Sequence, residues 1–135
     1  MMNRAKLKVV SFWILTSLLT FELIYGALWD FNVINRGYVY GVLEHLGYPL
    51  YLALILAYSK ILAAVVIILP GLLLPKEWAY AGSIILFFAA FASHVIVGDT
   101  ISQSGFALGL GVIALSSWAL RPSGRRILPL RNSLK

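Results

Sequence analysis

The sequence predicts an all-α fold: a polytopic membrane four-helix bundle, both termini cytoplasmic, with a short amphipathic helix in the first outer loop. Four apolar blocks, about 9–29, 51–69, 78–97 and 101–120, each approach the roughly 20 residues that cross a hydrocarbon core. Only 12% of the 135 residues are charged, and mean hydropathy is +0.89. A soluble domain carries roughly 25% charged residues. The basic residues also sort to one side of the predicted bundle, the pattern that orients polytopic proteins.

Residues 1–135 read as one membrane domain. The first block follows Arg4, Lys6 and Lys8, as a signal peptide's apolar region would. It runs past that length, contains Glu22 and meets no small-residue cleavage site, so it is read as a retained helix. With four spans, Arg4, Lys6, Lys8, Lys76, Arg121, Arg125, Arg126, Arg131 and Lys135 share one side, and Arg36 lies on the other. The positive-inside rule makes the first side cytoplasmic and predicts a multi-pass protein of the cell (inner) membrane. Trp13, Trp78 and Trp118 then fall near cytoplasmic ends and Trp29 at the outer end, as an aromatic belt requires. The net charge of +6 is accounted for by this topogenic pattern and by contact with anionic lipid, and no nucleic-acid module accompanies it. The expected partners are the lipid bilayer and other subunits of a membrane complex. The absence of cysteine excludes disulfides, thiol redox chemistry and thiolate metal sites in this chain.

In the long first connection, about 30–49, Val39, Val42, Leu43 and Leu46 recur at helical spacing and predict an amphipathic helix at the outer surface. Gly47-Tyr48-Pro49 turns the chain, with Pro49 suited to the first turn of the next helix. Residues 70–75 stop that helix, and Lys76-Glu77 opens the third, where Glu77 favours the positive dipole end and Lys76 obeys the orientation rule. Ala53, Ala57 and Ala64 form a small-residue stripe with Lys60. Gly105 with Gly109, and Ala89 with Ser93, have the spacing of further packing faces. A basic tail, 121–135, follows the fourth block.

Lys60 is the anomaly. It lies near the midplane of the second block, where a charge costs roughly 2.5–3.5 kcal/mol on insertion scales. Glu22, roughly 4–5 Å outward of the midplane on the first helix, is its expected partner, and His94 lies roughly 9 Å outward on the third. With Asp99 at the boundary, Glu22, Lys60 and His94 share the outer half, and the inner half is expected to hold no comparable group. One reading makes Glu22 and Lys60 a buried ion pair that fixes two helices. The other makes the cluster a ligand-binding site, or the relay of a small transporter or proton-conducting protein. Gly26 and Trp29 share the Glu22 face, giving a gap and an aromatic wall suited to a flat amphipathic ring such as a quinone. No other cofactor is evident. A metal or haem site on His45 and His94 lacks a ligand motif, so no metal is predicted. No phosphate loop, zinc-protease motif, nucleophile elbow or dinucleotide fingerprint occurs, so the chain is not expected to be an enzyme on its own.

Glu22-x-x-x-Gly26-x-x-Trp29, Leu46-Gly47-Tyr48-Pro49-x-Tyr51, Lys60, Pro70, Lys76-Glu77-Trp78-Ala79-Tyr80-Ala81-Gly82, Ser93-His94 and Gly98-Asp99 together resemble the DoxX-like family of small bacterial membrane proteins. The resemblance runs over about residues 9–120. It implies a four-helix membrane fold and, through relatives named as subunits of a quinol oxidase or thiosulfate:quinone oxidoreductase, quinone-linked redox work as an accessory subunit. Carried over by position, its polar motif residues are Glu22, Lys60, Lys76, Glu77, His94 and Asp99, and Trp29 and Tyr51 join the candidate ligand wall. Gly26, Gly47, Pro49, Trp78 and Gly82 take mainly structural readings, as do Lys76 and Glu77.

Overall fold

The computed structural model describes residues 3–127. They fold as α1 (Arg4–Asp30), α2 (Tyr38–His45), α3 (Leu52–Ile68), α4 (Leu73–Ile96) and α5 (Ile101–Leu120), followed by a 3-10 turn at Ser123–Arg125. No strand occurs among the described residues. Helices α1, α4 and α5 are long and apolar enough to cross a membrane, while α3 is equally apolar but only 17 residues long. The four longer helices pack in cyclic order α1, α3, α4, α5, with α3 and α4 the least intimate neighbours in the ring.

The helix limits follow from caps that apolar patterning does not register. Helix α1 starts ahead of its apolar block because the Asn3 side chain accepts the Ala5 N–H at 3.2 Å. It also runs through Asp30, which is 3% exposed, so that residue belongs to the helix and not to the loop. Helix α4 starts at Leu73, ahead of the expected 78. Pro75 is tolerated there because the first turn's N–H groups have no intrahelical partner. Pro49 lies before α3, not in its first turn; its carbonyl accepts the Leu52 N–H at 3.0 Å. Helix α5 matches its expected limits, and a capping box between Thr100 and Gln103 explains why so polar a start is helical.

The interior is built from small and hydroxyl-bearing residues around a plug of Leu19, Leu23, Ala64, Ile67, Tyr80, Phe87, Leu110 and Ala114. Large apolar residues face outward, among them Ile96 at 82% exposed and Ile85 at 68%. Such an outward apolar surface is what hydrocarbon surroundings select. The Ala53, Ala57 and Ala64 stripe is buried where α3 meets α1. The Gly105/Gly109 pair is not a tight packing face: a Cβ at Gly109 would meet nothing within 4 Å, and one at Gly105 only Ile101 at 3.8 Å. Gly111 is the glycine that packing requires, since its Cβ would lie 3.1 Å from the Phe88 ring.

Charge is not confined to one half, contrary to expectation. At the end where α4 begins, Lys76 is buried and its ammonium donates to the carbonyls of Leu69 and Gly71, capping the C-terminus of α3. Glu77 accepts from Arg121 at 2.8 Å and from the Trp118 indole at 2.9 Å, instead of serving the dipole of its own helix. The Arg121 guanidinium lies 5.0 Å from the centre of the Tyr80 ring, and Arg125 donates to the carbonyls of Ile67 and Ile68 at 2.9 Å. Just inside this layer, Ser117 links Thr16 at 2.8 Å and Tyr80 at 2.9 Å, joining α1, α4 and α5. Sequence spacing could not expose this network, because each bond joins residues of different helices or turns.

Candidate functional site

At the opposite end α2 lies over the bundle, against α1 and α3. The apolar stripe Val39, Val42, Leu43 and Leu46 turns inward, so α2 roofs the bundle instead of lying on a surface. Beneath it is a cavity of about 330 Å³. Helix α1 contributes Glu22, Gly26, Trp29 and Asp30; α3 contributes Leu52, Leu56 and Lys60; α4 contributes Phe87, Ala89, Ala90, Ser93 and His94. The small residues Ala89 and Ser93, which looked like a packing pair, leave the room that the cavity occupies.

Lys60 reaches not Glu22 but Asp30, with Nζ 2.6 Å from Oδ2. Asp30 sits two turns beyond Glu22 on the same face of α1, and a flexible lysine stem extends toward the polar end of a bundle. Among the described residues, Asp30 Oδ2 has the Lys60 ammonium as its one partner. Glu22 makes no ion pair or side-chain hydrogen bond among the described residues, yet stands close by. A Cβ on Gly26 would lie 3.2 Å from Lys60 Nζ and 3.7 Å from Glu22 Oε1. Gly26 is thus the gap through which the ammonium fits between two carboxylates. Asp30 had a legible signal: the interval from Glu22 through Gly26 to Asp30 repeats every four residues.

His94 lines this cavity on one side and turns Nδ1 to Asp99 Oδ2 at 2.6 Å on the other. His45, on α2, also meets Asp99, with Nε2 2.8 Å from Oδ1 and 3.0 Å from Oδ2. These bonds to the ionised form, His94 first and His45 second, hold the Asp99 carboxyl below the usual carboxylate range. Both imidazoles point at the carboxylate, and no group of three or more His, Cys, Asp or Glu among the described residues could hold a metal. Tyr48 adds a second tie at the end of α2, its hydroxyl 2.8 Å from Ser93 Oγ. Both flanks of α2 carry a glycine at positive φ, Gly37 at 85° and Gly47 at 77°, where an L side chain would be strained.

The remaining candidates divide. Trp29 walls the cavity and stands edge-on to Tyr38, ring centres 5.2 Å apart. Tyr51 is 68% exposed and is not part of the wall, whereas Tyr48 and Tyr38, which spacing did not single out, are. Asp99 lies outside the cavity and acts on it through His94. Trp78 and Gly82 line a separate hollow between α3 and α4, and Lys76 and Glu77 belong to the opposite end.

Long apolar helices with outward-facing large side chains and a charged cavity at one end define an integral membrane protein. More narrowly, the chain belongs to the DoxX-like family, whose model matches residues 14–117. Comparison with curated proteins and with solved structures finds no match.

Proposed function

We propose that this protein crosses the cell (inner) membrane four times, with both termini cytoplasmic, and binds a quinone or similar flat, lipid-soluble ligand as an accessory subunit of a membrane redox complex. The observation that carries the reading is the roofed cavity of about 330 Å³, in which Glu22, Lys60 and His94 meet apolar and aromatic walls. Few polar groups converging in a mostly apolar hollow is the usual form of a small-molecule site. A quinone head group presents two carbonyl oxygens. Lys60 and His94 supply donors on different walls, and Trp29 offers a ring face. Glu22, without a partner of its own, is the group placed to take up or release a proton. A quinone carries electrons between membrane enzymes, and this chain, having no cysteine, offers no thiol or thiolate-bound cluster of its own as the electron partner.

Proton conduction by the same residues is the rival. The packed plug of Leu19, Leu23, Ile67 and Phe87 between the two polar ends favours binding over conduction. Flux into liposomes that depends on Glu22 would reverse that preference. The direct test is quinone retention, or a quinone-dependent rise in melting temperature, of the purified protein. Glu22→Gln is expected to remove the effect while leaving unliganded stability within about 0.5 kcal/mol, because it breaks no ion pair. No shift in the wild type would sink the proposal.

A further inference from the structure

The cavity shares a wall with a second hollow. Leu56, Lys60 and Leu86 line it on one side and line, on the other, a hollow of about 610 Å³ between α3 and α4, the least closely packed pair in the ring. The two spaces are neighbours and share these three side chains as a common wall. Of the hydroxyls in this second wall, Ser59 donates to Ile55 at 2.7 Å and Ser83 to Ala79 at 2.8 Å, so each is bonded within its own helix. The remaining side chains are apolar apart from Lys60 and the Trp78 indole N–H. The rim residues Leu62, Trp78 and Ile85 are 65%, 68% and 68% exposed, so the hollow opens sideways where apolar side chains face out.

Gly82 sharpens the point. A mid-helix glycine weakens a helix relative to alanine, and the usual compensation is a close packing contact. A Cβ at Gly82 would meet nothing within 4 Å, and the residue lines the hollow. The missing side chain therefore serves open space and no helix contact.

We infer that the groove between α3 and α4 holds the hydrocarbon tail of the ligand whose head occupies the polar cavity, so that the ligand is a tailed amphiphile entering sideways from the membrane past Lys60. This rests on the quinone-binding reading above and adds to it the class of ligand and its route. Charge complementarity fixes the direction. Lys60 is the one cationic side chain among the described residues that line the groove, and it also lines the polar cavity where it pairs with Asp30, so an oxygen-rich head belongs at Lys60 and a chain along the apolar rim.

The test compares a benzoquinone bearing a decyl chain with its tail-less parent, titrated against the full chain in micelles and read by tryptophan quenching. Gly82→Phe places a ring in the groove, and Ser59→Leu is a milder filling on an exposed helix position. Partitioning into the micelle is common to all proteins and cancels. Both variants should bind the tail-less quinone as the wild type does and lose roughly tenfold in affinity for the decyl compound, equivalent to about two buried methylenes. If the decyl compound keeps its full advantage in both variants, bulk lipid or another helix fills the groove and the inference fails while the head-group reading stands. If neither quinone binds the wild type, the functional reading itself fails, and this inference with it.

Discussion

The two ends of this bundle use the same kinds of side chain to opposite effect. Where α4 begins, Lys76, Glu77, Arg121 and Arg125 are matched with carbonyls, an indole and one another, and buried hydroxyls continue the network inward. At the other end Glu22, Asp30 and Lys60 line a void, with one carboxylate unpaired among the described residues and one held by Lys60 alone. Buried polar groups that are fully satisfied hold helices in place, whereas groups left with spare bonding capacity beside open space are poised for a ligand. The difference is in bonding, not in composition.

The comparison breaks first at Arg121. It is 3% exposed and bound to Glu77, the Trp118 carbonyl and the Tyr80 ring, so Arg121→Ala should cost about 3–5 kcal/mol and leave quinone affinity unchanged in the folded fraction. Unfolding in mixed micelles followed by circular dichroism measures the first quantity. A loss below about 1 kcal/mol would mean that this network is not the fastening described. Lys60→Met comes next. It strands Asp30, whose side chain is 4% exposed, and should cost about 3 kcal/mol, most of it restored in Lys60→Met/Asp30→Asn. Restored stability without restored quinone binding would separate the pair's structural share from its share in the site. Stability that the double variant fails to recover would mean that Lys60 contributes by some contact other than Asp30.

The smallest effect concerns the roof. Because His94 and His45 depress the folded-state pKa of Asp99, its contribution to holding α2 is fully present above the free-carboxyl value of about 3.9 and drains away as pH falls through the lower folded value. A spin label at Gly41→Cys, where added atoms meet nothing within 4 Å, should stay immobile at neutral pH and loosen only in that acid range. Asp99→Asn should loosen it at neutral pH. A label equally immobile throughout would show that Tyr48 and apolar contacts alone hold the roof.

Much of the architecture was legible because it repeats with the helical period. The stripe Ala53, Ala57 and Ala64 and the roof face Val39, Val42, Leu43 and Leu46 follow from spacing, and the apolar block of α5 gives its extent. Lys60's partner was missed for a local reason: the first apolar block ends at Trp29, so Asp30 read as loop, although the helix continues one residue further and buries it. Lys76 was missed for a global one, since it caps a helix other than its own and depends on how α3 and α4 turn about residues 69–72. Gly105 and Gly109 have the spacing of a contact but face away from the bundle's neighbours, and spacing alone does not say which side of α5 faces inward.

The Thr16–Ser117–Tyr80 chain has a bearing on the distant cavity. Glu22, Gly26 and Asp30 all ride on α1, a single uninterrupted helix, so wherever that rod is keyed in rotation, all three are aimed together. A hydroxyl bolt through α1, α5 and α4, seated roughly 9 Å along the axis from Glu22, indexes the rod and so sets the heading of the whole charged face from outside the cavity.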